Sequence, residues 1–402
     1  MRTPLRLVLA LLLFVVVLTG LAVALERRAR RPAKISAELD VAEALGGGLG
    51  GDEAEARFTR ATLPRKFVFP ADHGAHDGFR TEWWYVTGNL FAADGRAFGV
   101  QLTFFRNALA AEISATAPSA SRWRSAHVWM AHFALSDEQG DTFRFAERFA
   151  REAVGLAGVT TAPFRVALED WSIASGTPSG SDFSPLRLAA RDGGFAVDLA
   201  LEARKPPVLQ GERGLSQKGP EPGNASYYYS MTRLPTRGTV TVNGETIPVS
   251  GEAWLDREWS TSALGPDLAG WDWFALQLGD GRELMFYRLR RKDGAVDPWS
   301  RGSLVAADGA SRSLAATEIR LTALSTWQSP SGATYPARWR LEVPGEELDL
   351  ELTPRVPNQE LDVTVRYWEG AVKVNGTSRS HPIAGHGFVE MTGYAPPSPP
   401  AP

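Results

Sequence analysis

The 402-residue chain contains no cysteine, so disulfide staples, thiolate metal sites, a lipid-modified N-terminal cysteine and thiol nucleophiles are all excluded by composition. It also lacks a surplus of charge: 43 Lys and Arg stand against 46 Asp and Glu, a net charge of -3. Without a basic field there is nothing to hold a nucleic-acid backbone through counterion release, and nucleic acid is not an expected partner. A Gly-x-Ser-x-Gly elbow, a Walker phosphate loop, a dinucleotide glycine fingerprint and a His-Glu-x-x-His helix are missing as well. Serine-hydrolase, nucleotide and zincin mechanisms lose their usual support, and neither a cofactor nor a nucleotide is expected.

Long apolar runs are absent beyond the first residues. Residues 7–25 form one such run, preceded by Arg2 and Arg6 and followed by Arg27, Arg28, Arg30 and Arg31. As a helix it would span about 28 Å, enough to cross a bilayer once. Residues 1–26 are therefore expected to be a signal peptide, with Ala22 and Ala24 as its cleavage box, or an uncleaved membrane anchor. Both place the folded chain outside the cytoplasm, periplasmic or tethered to the inner membrane. The arginines after the run resist translocation and leave an inverted anchor open. Residues 27–62, with glycines at 46–48, 50 and 51, are expected to be a linker, and residues 395–402 a proline-rich tail.

Aromatic residues are plentiful: 13 Trp, 19 Phe and 8 Tyr. They cluster in runs of period two, the mark of strands. Phe98, Val100, Leu102 and Phe104 alternate with Gly99, Gln101 and Thr103. His127, Trp129, Ala131, Phe133 and Leu135 repeat the pattern with both faces mostly apolar, which predicts a central strand. Asp94-Gly95, Asp192-Gly193-Gly194 and Asn243-Gly244 supply turns. Residues 205–224 hold too many prolines and glycines for a central strand and are expected to be a long loop or an interdomain crossing. The string Glu82-Trp83-Trp84-Tyr85 with Asp94-Gly95-Arg96 is echoed by Trp271-Asp272-Trp273-Phe274 with Asp280-Gly281-Arg282. The echo implies a duplicated β unit. The expected fold is all-β: two barrel-like domains in tandem after an N-terminal hydrophobic helix, at 63–232 and 233–394.

Three constellations are candidates for chemistry. His73, His76, Asp77 and Glu82 lie just before the first aromatic strand. With His127, His76 and Glu82 have donors suited to zinc or iron, but a buried imidazole tying the loop to the barrel explains them equally, and no metal is expected. In the second, Trp254, Asp256 and Glu258 alternate with Leu255, Arg257 and Trp259, close to Trp271 and Trp273. A carboxyl group against indole faces loses hydration, retains its proton and suits acid-catalysed addition of water to an alkene. The alternative is a structural ion pair with Arg257, Arg288 or Arg290. The third is Tyr227-Tyr228-Tyr229-Ser230, where a phenol can orient water or a carbonyl, or simply pack at a domain interface.

The strings Glu82-Trp83-Trp84-Tyr85-Val86-Thr87-Gly88, Tyr228-Tyr229-Ser230, Gly270-Trp271-Asp272-Trp273-Phe274, Tyr367-Trp368-Glu369-Gly370 and Gly387-Phe388-Val389-Glu390-Met391-Thr392-Gly393-Tyr394 resemble a lipocalin-like family. It includes carotenoid 1,2-hydratase (hydroxyneurosporene synthase), AttH-like proteins and many labelled predicted secreted hydrolases. The resemblance covers residues 63–394 and implies two lipocalin-like β-barrel domains with an apolar pocket. It implies an acid at Asp256; Glu258 and Glu82 are further catalytic candidates on their own residue type and surroundings in the sequence. The expected ligand-binding residues are His76, Trp84, His127, Trp129, Tyr228, Trp254, Trp271 and Trp273. Arg257 and Glu258 depart from the hydratase branch's His-Asp-His-Asn-Trp type of string, so carotenoid hydration itself does not carry over. A hydratase-like enzyme on an apolar, isoprenoid or lipid substrate, a non-catalytic binding protein of the cell envelope, and a structural envelope protein all remain open.

Overall fold

Alternating apolar residues force strands, and strands with one greasy face curl around it. The computed structural model describes residues 57–109, 125, 127–177, 182–262 and 264–394. The expected signal or anchor segment, most of the linker and the proline tail lie outside these residues. Among the described residues no helix is long and apolar enough to cross a membrane.

The first sheet opens with an antiparallel meander of β1 (Thr81–Ala92), β2 (Ala97–Ala108), β3 (His127–Asp137) and β4 (Thr142–Arg151). The chain restarts at the far edge with β5 (Ala157–Thr161), β6 (Phe164–Leu168), β7 (Trp171–Ser175), β8 (Leu186–Asp192) and β9 (Phe195–Leu201). Two short strands, β10 (Val208–Leu209) and β11 (Leu215–Gln217), precede the long hairpin of β12 (Ala225–Val242) and β13 (Glu245–Ser260). β13 pairs with β1, giving the order β4-β3-β2-β1-β13-β12-β9-β8-β7-β6-β5.

The second sheet repeats the plan. Its meander is β14 (Leu268–Leu278), β15 (Glu283–Arg291), β16 (Arg301–Val305) and β17 (Ser311–Ala315). β18 (Arg320–Gln328), β19 (Thr334–Val343), β20 (Leu348–Pro354) and the short β21 (Glu360–Leu361) follow. The hairpin of β22 (Tyr367–Ser378) and β23 (His381–Thr392) then returns to β14, in the order β17-β16-β15-β14-β23-β22-β20-β19-β18. Each sheet curls into a nearly closed, barrel-like domain. The echoed strings occupy the same place in both, β1–β2 and β14–β15.

The sheets divide between Ser260 and Leu268, well past the expected join at 232/233. The proline- and glycine-rich stretch marks a loop within the first sheet: β12 pairs with β9 on one side and β13 on the other. Asn243 and Gly244 both adopt positive φ (54° and 84°), the conformation a two-residue hairpin turn requires.

Both interiors are filled. Trp84 and Trp129 stack 5.6 Å apart in the first, among Phe98, Phe104 and Phe133. Trp339 and Trp368 meet edge to face at 6.1 Å in the second. Large aromatic rings thus occupy the interior of each sheet.

At the start of β1 the first interior is closed by ions. Fully buried Glu82 accepts hydrogen bonds from Arg106 Nε and Arg257 Nη2, and the His76 backbone N–H donates to both its oxygens at 3.2 Å. Burial pushes the Glu82 carboxyl up, but the two guanidinium groups outweigh it and hold the group far below the ordinary carboxylate range. Arg257 lies 3.9 Å from the Trp84 ring centroid, and His76 stacks on Trp259 at 3.7 Å. Glu82→Ala strips the anion from two buried guanidinium groups and is expected to cost about 3–5 kcal/mol in urea denaturation. Because the folded pKa is depressed, the ion pair stabilises fully above the unfolded pKa and fades as pH falls. The deficit of the variant should shrink in acid, and a deficit constant with pH would contradict the assignment.

Candidate active site between the two sheets

Two barrels with filled interiors have only their outer faces left to bury. On β1, β12 and β13 the residues facing outward are Trp83, Tyr85, Tyr228, Trp254, Asp256 and Glu258, since register pairs Tyr85 with Asp256 and Trp83 with Glu258. They pack against Trp273, Tyr287 and Leu289 of the second sheet. A cavity of about 150 Å³ remains in this layer. Trp83, Tyr85 and Phe105 wall it on one side and Trp271, Trp273 and Leu289 on the other, while Asp256, Glu258, Lys218 and Glu390 bring polar atoms to its surface.

Asp256 is buried, and all of its hydrogen-bond partners are uncharged. Oδ1 accepts from Ser230 Oγ at 2.5 Å and Trp254 Nε1 at 2.6 Å, and Oδ2 accepts from Tyr228 Oη at 2.5 Å. Trp273 Nε1 donates to the same phenol oxygen at 3.2 Å. Burial pushes the Asp256 carboxyl up; the bonds from Ser230, Tyr228 and Trp254 pull against it, nearby Glu258 adds to the rise, and the group settles at about 7. Such a carboxyl carries a proton about half the time at neutral pH and can pass it to a molecule in the cavity, directly or through the Tyr228 hydroxyl, which gives up its own proton as it takes that of Asp256. Glu258 accepts from Ser226 Oγ and lies 3.6 Å from Lys218 Nζ. Lys218 in turn sits 3.7 Å above the Tyr287 ring. Burial opposes its charge, but Glu258 and Tyr287 hold its pKa above the ordinary lysine value.

Of the residues singled out from sequence, Asp256, Glu258, Tyr228, Trp271 and Trp273 line the cavity. Trp254 stands behind Asp256 and donates to it. Trp84 and Trp129 lie in the first interior, with Glu82 and His76 at its closed end. His127 bonds Glu152 through Nδ1 and Arg106 through Nε2, at 2.5 and 2.7 Å. Arg106 thus contacts both His127 and Glu82, so guanidinium charge sits where the three supposed metal ligands would have to converge; no group of three potential ligands occurs among the described residues. The ion-pair alternative for Asp256 and Glu258 also falls away for the arginines named. Arg288 and Arg290 both bind Asp272, and Arg257 faces the first interior.

Sequence reasoning missed Tyr85, Lys218, Tyr287 and Glu390. Tyr85 and Tyr287 carry a signal in retrospect, being aromatic residues at outward positions of the two echoed hairpins. Lys218 lies in the loop set aside for its prolines and glycines.

The model of the AttH-like family matches residues 60–394. The chain belongs to the AttH-like family. The crystal structure of an AttH-type protein from Nitrosomonas europaea is 36% identical to it, covers 84% of this chain and 100% of that one, and superposes with a TM-score of 0.72. Kievitone hydratase from Nectria haematococca shares the fold at 17% identity, covering 84% of this AttH-like chain and 98% of its own, with a TM-score of 0.60. No curated protein matches the chain.

The raised Asp256 pKa has a thermodynamic signature. The folded state binds a proton that the unfolded chain has released, so folding is progressively penalised as pH rises from about 4 to about 7. Asp256→Asn cannot ionise. Its stability relative to the unmodified protein, measured by urea denaturation, should rise across that interval and level off above it; a difference that stays flat would contradict the placement of the proton.

Proposed function

We propose that this AttH-like protein adds water to, or removes it from, an alkene in an apolar ligand, with Asp256 as the proton donor. The observation that carries the reading is a carboxyl group without a cationic partner, held near neutrality at the wall of an aromatic cavity. An alkene carbon is a poor base, so its protonation needs an acid that keeps its proton at working pH and is not tied up in an ion pair. Once the proton has reached carbon, the faces of Trp83, Trp271 and Trp273 shelter the cation until water captures it. Asp256 gives up one proton, water supplies the hydroxyl and loses another, and the product is an alcohol. Reversal of the same steps dehydrates it.

The ligand class follows from the walls. A cavity of about 150 Å³ lined by indole and phenyl rings holds about one benzene-sized or branched five-carbon fragment, which suits the reacting end of an isoprenoid or lipid chain. Kievitone hydratase, of the same fold, supports water addition as a chemistry this architecture accommodates. A membrane-soluble ligand also agrees with residues 1–26 as an export signal or anchor, with the folded domains outside the cytoplasm, periplasmic or tethered to the inner membrane.

Mass spectrometry of the protein purified from its native membrane should identify retained alkenes. Turnover of such a ligand in ¹⁸O-water is expected to insert one ¹⁸O. Asp256→Asn should lower kcat by about 10²–10⁴ with little change in affinity. Undiminished turnover by the variant would overturn the acid assignment, and tight binding with no ¹⁸O product from the unmodified protein would favour a carrier of lipids or isoprenoids.

A further inference from the structure

Across the cavity from Asp256, two glutamates of the second sheet meet. Glu369 on β22 and Glu390 on β23 are direct partners in the antiparallel register, where two carboxylates repel. Glu369 is fully buried, and Glu390 opens only partly to the cavity. Neither has a cationic partner among the described residues. Tyr85 Oη donates to Glu369 Oε1 at 2.7 Å, and Trp271 Nε1 donates to Glu390 Oε1 at 2.5 Å. Glu369 Oε2 is buried and meets no N–H or hydroxyl donor. Directly opposite on the neighbouring strand stands the Glu390 side chain, and two facing carboxyl groups can hydrogen-bond only when one of them keeps a proton.

We propose that Glu369 and Glu390 share a single proton and form a second proton-exchanging centre of the cavity, in which Glu390 takes the proton of the attacking water and Glu369 is its positioning residue. The role assigned to Glu390 rests on the hydration reading; the shared proton does not. In the addition step the Asp256 proton goes to one alkene carbon, and the water oxygen bonds to the other. The proton leaving that water goes to Glu390, and exchange with bulk water returns both groups to their starting states. Burial and the neighbouring Glu390 charge keep Glu369 protonated well above the ordinary range. Glu390, pushed up by burial and by Glu258 but restrained by bonds from Trp271 and Glu369, sits at about 7. The titratable groups facing the pair are Tyr85 from β1, Glu258 from β13 and Tyr367 from β22.

A one-ring aryl diazoacetamide tests this without a substrate. The reagent esterifies only carboxyl groups that hold a proton: that proton moves to the diazo carbon, dinitrogen leaves and the carboxylate oxygen closes the ester. Peptide mapping at pH 7 should find Glu390 labelled at least about a hundredfold faster than an exposed glutamate such as Glu245, with a labelling midpoint near pH 7. Glu369→Gln, whose amide still donates, should leave that midpoint in place, whereas Glu369→Leu removes the donor and should raise it by about one unit. Background labelling of Glu390, or equal midpoints in the two variants, would overturn the proposal. The profile of the unmodified protein decides the first point even if the leucine variant fails to fold. Labelling at Asp256, read from a different peptide in the same sample, reports separately on the hydration reading: loss there with Glu390 intact sinks the acid and leaves the shared proton standing.

Discussion

The outer faces of two curled sheets are buried against each other, and the candidate site depends on that contact. Each sheet has spent its largest rings on its own interior, Trp84 and Trp129 in one and Trp339 and Trp368 in the other. A second aromatic layer, with Tyr85, Tyr228, Trp254, Trp273 and Tyr287, is then available to remove water from whatever polar group lies between the barrels. Asp256 is such a group. On a lone barrel it would face solvent and ionise as an ordinary aspartate; between two it loses hydration and gains only neutral hydrogen-bond donors.

The internal duplication explains why both walls carry an acid. Asp256 lies on the last strand of the first sheet and Glu390 on the last strand of the second, and each of these strands pairs with the first strand of its own meander. The two closing strands therefore lie at corresponding places in the two barrels, and each brings an acid to the cavity between the sheets. The same plan serves opposite ends elsewhere. Glu82, on β1 but facing inward, meets two guanidinium groups and stays ionised, a structural charge in the same strand that supplies the cavity with Tyr85.

Much of this was legible in the amino-acid sequence, and for a physical reason. Period-two alternation determines strand and face together, so β2, β3 and the shared face of Trp254, Asp256 and Glu258 followed directly from spacing. Which face looks inward did not follow. That depends on pairing between β1 and β13, whose partners run from Ala92 with Val249 to Thr81 with Ser260, and local pattern carries no record of pairing across so much chain. Glu82 and His76 drew attention as donors suited to a metal and Trp84 as part of the aromatic string, yet Glu82 and Trp84 point inward with His76 beside Glu82, and the odd-numbered Trp83 and Tyr85 reach the cavity. The division between the sheets after Ser260 leaves no mark in composition, because proline and glycine report a break in a strand, not in a sheet. Lys218 was passed over because it has no distinctive neighbour in sequence, and Glu390, although it stands in the 387–394 string, because nothing beside it in the chain marks it for chemistry; the surroundings of both come from groups brought to them by folding.

If ligand chemistry takes place between the barrels, a crystal structure with a bound alkene should show density in the interdomain layer, in contact with Trp271 and Trp273 and with an alkene carbon in reach of the Asp256 carboxyl or the Tyr228 hydroxyl. Density in the interior of the first barrel, displacing Trp84 from Trp129, would contradict it.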